Sequence, residues 1–167
     1  MSSPVVINFM KQQGFPEEPP DACHMHFSAL YFQPRIVFPL VLLATVLQSA
    51  PLFLVISAVL WWNVALPRLN PFEQAYNRFI ARPRGGPFLT PAPGPRRFAQ
   101  AMAAAFTLGA AVSIMEGWMV MAWVLEAFLA IAFSALLFGR FCLGAYVYHV
   151  GRGEVGFANS TLPWAGR

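Results

Sequence analysis

Cys142 stands in the stretch RFCLGAYVYHV (140–150), with Arg140 just before it and His149 near the end of the run. A thiol near a cation and an imidazole could serve redox chemistry or soft-metal binding, if further ligands or a second thiol join it. The other cysteine lies far away in CHMH (23–26), where Cys23, His24 and His26 are the chain's candidate metal ligands. A zinc site needs four ligands at wider spacing, and the C-x-x-C-H pattern of haem attachment is absent. No metal and no resident cofactor are therefore expected. The two cysteines form neither a disulfide framework nor a CxxC pair. His149 stands alone and reads as an interfacial histidine.

Glu126 is the remaining group of chemical interest, because it falls inside an apolar run, about 12 Å along a helix and so near mid-membrane. A carboxyl group in a membrane is expensive and is a functional candidate by default. It could handle protons, touch a partner subunit, or sit protonated and hydrogen-bonded to Thr45, Gln48, Thr107 or Ser113. The last reading is favoured, because no second acid, lysine or histidine falls in any apolar segment to complete a relay. The same lack of histidine argues against axial ligation of haem or chlorophyll there. No GxGxxG, P-loop, HExxH or nucleophile elbow occurs, so no catalytic constellation is expected and the chain is read as no enzyme.

The elements that must carry these residues follow from composition. The 167 residues are 57% hydrophobic and only 11% charged, with a mean hydropathy of +0.55. A soluble domain carries about 25% charged residues. The fold class expected is an all-α membrane protein, a four-span helical bundle with an irregular cytoplasmic N-terminal leader and C-terminal tail. Residues 1–34 form the leader, in which no cleavable signal is evident. Residues 35–150 form the membrane domain, and 151–167 the tail.

The run from Ile36 to Leu66 would be about 46 Å long as one helix, too long for a hydrocarbon core of about 30 Å. Pro51 suits the first turn of a new helix and Ser49 suits its cap. Spans are therefore placed at about 35–49, 51–67, 98–115 and 118–138, followed by an interfacial segment at 141–150. On the third span Ala101, Ala105, Gly109 and Ser113 recur every four residues, a stripe that admits close helix packing.

With four spans, every arginine and Lys11 fall on one side, and the two opposite turns carry only Glu116. The excess of positive charge on cytoplasmic loops then places both termini in the cytoplasm of a bacterial inner membrane. Arg68, Arg78, Arg82, Arg84, Arg96 and Arg97 are expected to meet lipid headgroups or a partner. Nucleic acid is not an expected partner.

Three stretches together, LNPFEQAYNRFIARPRGGP (69–87), PGPRRFAQAM (93–102) and RFCLGAYVYHV (140–150), resemble a bacterial membrane family known as domain of unknown function 4395. The resemblance covers about residues 35–150. It implies a compact four-span bundle and no established reaction, with Arg140, Cys142 and Gly144 as motif residues. The family's last motif usually reads FCLGC, whereas Ala145 stands here at the second cysteine. One thiol cannot cycle between dithiol and disulfide alone, so Cys142 is expected to be a small apolar helix residue.

The function expected is a non-catalytic accessory subunit of an inner-membrane energy-transducing complex, respiratory or photosynthetic. It would contact other integral subunits, lipids, and pigments held by those partners. The alternative is a small transporter or redox and sulfur-handling partner that uses Glu126 or Cys142.

Overall fold

The computed structural model describes residues 4–15, 27, 29–86 and 88–165. Among these the secondary structure is helical throughout. The elements are α1 (Pro4–Gln12), α2 (Phe32–Leu47), α3 (Ala50–Ala65), α4 (Pro71–Tyr76), α5 (Gly94–Met115), α6 (Met119–Leu137), α7 (Leu143–Gly151) and α8 (Val155–Ser160). A short 3-10 turn precedes α4, and a π-helical turn at Asn77–Ala81 follows it.

The four apolar segments fold as α2, α3, α5 and α6. Local chemistry explains the break between the first two. Gln48 adopts a left-handed conformation (φ 44°) that closes α2, and Ser49 then caps α3 by accepting the Leu52 N–H at 3.4 Å. Pro51 sits in the first turn of α3, where its missing N–H costs nothing. At the other break, Pro95 occupies the first turn of α5, which therefore starts a few residues earlier than the sequence suggested.

Around the bundle the neighbours run α2, α3, α5, α6 and back to α2, with the most extensive contact between α3 and α5. Val41, Phe53, Ile56, Ala104, Ala111 and Leu129 form its centre. The α3–α5 seam is close because Ala104, Thr107 and Ala111 recur at helical spacing with no exposed surface, and the Ser57 hydroxyl donates to the Ala104 carbonyl at 2.9 Å. The stripe expected from the sequence lies partly elsewhere. Ser113 is buried, Ala101 and Gly109 are half-buried, and Ala105 is exposed. Gly109 faces α6, where an added Cβ would meet Leu125 at 3.1 Å.

Two helices, α5 and α6, are long and apolar enough to cross a membrane. At 1.5 Å per residue α5 is about 33 Å long, whereas α2 and α3 reach only about 24 Å each. Cross-links between helices fix the levels. Arg97 donates to the Val64 carbonyl and Ser57 to that of Ala104, so the α2–α3 turn lies near Ala111. Gln48 likewise meets Glu126, seven residues past the start of α6. The α5–α6 tip thus projects beyond the first hairpin by about 6–10 Å. Met115, Trp118, Val120 and Met121 are exposed on it.

The extensions are not irregular where they are described. Residues Pro4–Gln12 form α1, which buries Val6, Phe9 and Met10 against Leu30, Tyr31 and Cys142. The tail folds back as α8, and the Asn8 amide donates to the Leu162 and Ala165 carbonyls at 3.2 and 3.1 Å. The proline-bearing leader is expected to be irregular or to hold short interfacial pieces, and the apolar face of 4–12 forms a helix that packs on the chain itself.

Candidate functional site

Many of the polar side chains that the fold buries gather at one end, where α2 and α5 begin and α3 and α6 end. Asn70 caps α4, its Oδ1 accepting the Phe72 N–H at 3.0 Å. That cap sets the first turn of α4 so that Glu73 points inward and meets the Arg96 guanidinium at 3.5 Å, both side chains nearly free of solvent. Burial pushes the Glu73 carboxyl above its usual range, with Arg96 and Asn70 pulling it down. Asn77, in the π turn, binds Leu89 through both its donor and its acceptor (3.1 and 2.7 Å), which pins the loop that leads to α5.

One turn beyond Arg96, Gln100 donates to Gln33 of α2 at 2.9 Å. Gln12, at the end of α1, accepts the Cys142 N–H at 2.9 Å. Cys142 is the residue just before α7, and its thiol lies within reach of the Gly144 and Ala145 backbone N–H groups and the Gln13 amide. Cys142 is thus buried at the N-cap position of α7 and not inside the helix, and its side chain makes no cap hydrogen bond. Burial pushes its thiol above the ordinary range, opposed by those N–H groups and by Arg96.

Gly144 is required by geometry. A Cβ there would lie 2.6 Å from both Cα and Cβ of Ala99, so α7 can approach α5 only without a side chain. Arg140, exposed at a positive φ of 52°, places its guanidinium over the Phe27 ring.

Several expected contacts need correction. Arg96 does not meet lipid headgroups, because it is buried and paired with Glu73. Arg68, Arg78, Arg82, Arg84 and Arg97 are exposed. His149 is not isolated. Its Nδ1 lies 2.7 Å from Glu154 and its Nε2 3.2 Å from the Gln12 carbonyl, so it ties α7 to both extensions. The His149 hydrogen bond holds the Glu154 carboxyl below its usual range. Glu126 is buried and accepts from Gln48 Nε2 at 3.2 and 3.0 Å, a partner named among the sequence candidates. It lies level with the α2–α3 turn, because that hairpin is short.

Cys23, His24 and His26 lie outside the described residues. Among the described residues no three His, Cys, Asp or Glu side chains come together as a metal-holding group. Sequence reading missed Gln12, Gln13, Gln33, Glu73 and Gln100. Their only local signal was polarity within otherwise apolar or amphipathic stretches.

The fold defines an all-helical protein, two of whose helices are long and apolar enough to cross a membrane, closed at one end by buried polar groups. The chain belongs to the family described as a domain of unknown function (DUF4395), whose family model matches residues 28–152. No curated protein and no solved structure gives a match. Glu73, Arg96 with Gln100, and Cys142 come from the three stretches that carry the family resemblance, and the fold brings all three to the same end.

Proposed function

We propose that the chain is a four-span inner-membrane protein with both termini in the cytoplasm, acting as a non-catalytic accessory subunit of an energy-transducing membrane complex. The observation that carries this reading is the belt of large apolar side chains left uncovered around all four long helices. Val46 is 80% exposed, Ile131 65% and Val120 72%, and Leu43, Val55, Trp123 and Phe128 join them. A soluble monomer rarely exposes a contiguous apolar patch beyond a few hundred Å². Lipid and neighbouring spans would cover such a belt, with its aromatic members as contact anchors.

Charge distribution supports the orientation. Exposed arginines cluster at the polar end, while the far end carries only Glu116. On this reading α2 and α3 thin the local bilayer or rest against a partner, since about 24 Å falls short of the hydrocarbon thickness. The packed extensions, α1 and α8, would form a preordered cytoplasmic face for neighbouring subunits.

The test is purification of the tagged chain from native membranes in mild detergent, with subunit mass spectrometry and an absorbance spectrum. Stoichiometric recovery with a haem- or chlorophyll-bearing complex supports the reading. A colourless, lone 18.5 kDa species contradicts it and turns attention to transport through Glu126 and Cys142.

A further inference from the structure

His149, near the end of α7, joins the two extensions of the chain and is only 7% exposed. Its Nδ1 lies 2.7 Å from a Glu154 carboxyl oxygen, and its Nε2 lies 3.2 Å from the Gln12 carbonyl at the end of α1. Both partners are acceptors: a carbonyl oxygen and an ionised carboxylate have no proton to give. A neutral imidazole carries one N–H and satisfies only one of them, leaving a ring lone pair against an oxygen lone pair at the other. Both bonds form together only when the ring is an imidazolium. A protonated Glu154 would also supply the missing proton. That side chain is 41% exposed, however, and its other oxygen accepts from Arg152 Nε at 3.3 Å. The proton therefore belongs to the ring.

The Gln12 carbonyl calls for such a donor. It lies in the last turn of α1, where the next helical N–H would come from residue 16, a proline with none to offer. The C-terminal end of a helix also favours a cation. The other groups around the ring do not replace it. Tyr148 stands edge-on at 5.5 Å, and α8 brings the Phe157 ring at 4.7 Å and no titratable side chain. Arg152, just past α7, pairs with Glu154, and Lys11 of α1 is exposed. On α5, Arg96 and Arg97 are engaged by Glu73 and the Val64 carbonyl, and Glu126 of α6 meets Gln48.

We propose that His149 is a proton-operated latch: as an imidazolium it fastens the N-terminal helix and the tail together over Cys142, and loss of its proton loosens the helix. Through its side chain Gln12 also holds the Cys142 N–H at 2.9 Å, so release of Gln12 uncovers that residue. Docking takes up a proton wherever the undocked ring is neutral, so the docked form weakens as pH rises. The latch is internal to the chain and does not depend on the accessory-subunit reading.

The experiment uses the full chain in nanodiscs, with His24→Gln and His26→Gln so that His149 is the only imidazole. Two readouts are followed from about pH 5 to about pH 9. The first is the long-range proton–nitrogen correlation spectrum of the ring, which counts the protons on its nitrogens. The second is amide-exchange protection in residues 4–12, corrected for the intrinsic rate. The expected result is two ring protons wherever α1 is protected. Protection should fall by about tenfold or more as the second proton is lost, the scale of one charge-assisted hydrogen bond. In Glu154→Gln the new amide can donate to Nδ1, so a neutral ring with its proton on Nε2 satisfies both bonds. Protection of α1 in that variant should no longer follow pH.

The proposal is overturned if the ring holds a single proton while α1 is protected, or sheds the second with no change in protection. It is equally overturned if neither readout moves through the whole range, or if Glu154→Gln keeps the wild-type response. If the variant fails to fold, the titration of the otherwise unchanged chain decides alone.

Discussion

The two ends of the bundle are built on opposite terms. At one end the chain buries an ion pair, a Gln–Gln bond, a cysteine whose backbone N–H is held by Gln12, and a histidine, and roofs them with its own extensions. At the other end the α5–α6 tip stands clear of the first hairpin and shows Met115, Trp118 and Val120 to its surroundings. The contrast teaches where uniqueness is set. Apolar spans can slide or rotate at small cost against lipid of similar polarity. A buried charge that must find its partner fixes one register, the role best attested for such groups.

Breaking the polar end should cost most. Arg96→Leu alone leaves Glu73 buried without a partner and should destabilise by about 3–5 kcal/mol. The double change with Glu73→Leu should recover part of that loss, as read from unfolding midpoints in detergent. Trp118→Ala at the opposite tip should shift stability by less than about 0.5 kcal/mol. Equal losses at the two ends would erase the contrast.

Next in size is the α5–α7 approach. Gly144→Val places atoms where Ala99 already lies and should cost about 1–3 kcal/mol or more. Ala99→Gly in the same chain should return some of it. Between the two ends, Gln48→Leu removes the bond to Glu126 and should cost about 1 kcal/mol, the scale of interhelical hydrogen bonds in membranes. Both effects are measurable by the same unfolding assay.

The smallest effect is a pH dependence at the tail. Glu154 has its carboxyl lowered in the folded state, chiefly by the His149 hydrogen bond. Its stabilising contribution is therefore complete above the ordinary carboxylate range and fades as pH falls through the lowered value. Amide-exchange protection in residues 152–165, corrected for the intrinsic rate, should fall as pH drops below the ordinary carboxylate range. Glu154→Gln should remove that dependence while leaving α5 and α6 unchanged.

What could be read from the sequence was local. Ser49 and Pro51 announce the α2–α3 break because capping chemistry acts over three or four residues, whereas the start of α5 at Gly94 was placed too late, near residue 98. The polar end was hidden because its bonds join residues far apart in the chain: Glu73 to Arg96, Gln33 to Gln100, Gln12 to Cys142. In the sequence Arg96 is one of several loop arginines, and only the inward turn of α4 singles it out. Glu126 was visible as an anomaly, but its level was not. That depends on how far a short hairpin reaches along longer neighbours. The family motifs marked the right region without giving a geometry.

The most direct test of the four-span account is the sidedness of its two ends. Single cysteines placed by Arg78→Cys and Glu116→Cys, with Cys23→Ser and Cys142→Ala, would be labelled in intact cells by a membrane-impermeant maleimide. With four spans and both termini cytoplasmic, position 116 labels from outside and position 78 labels only after permeabilisation. Labelling of both positions from the same side would contradict the account.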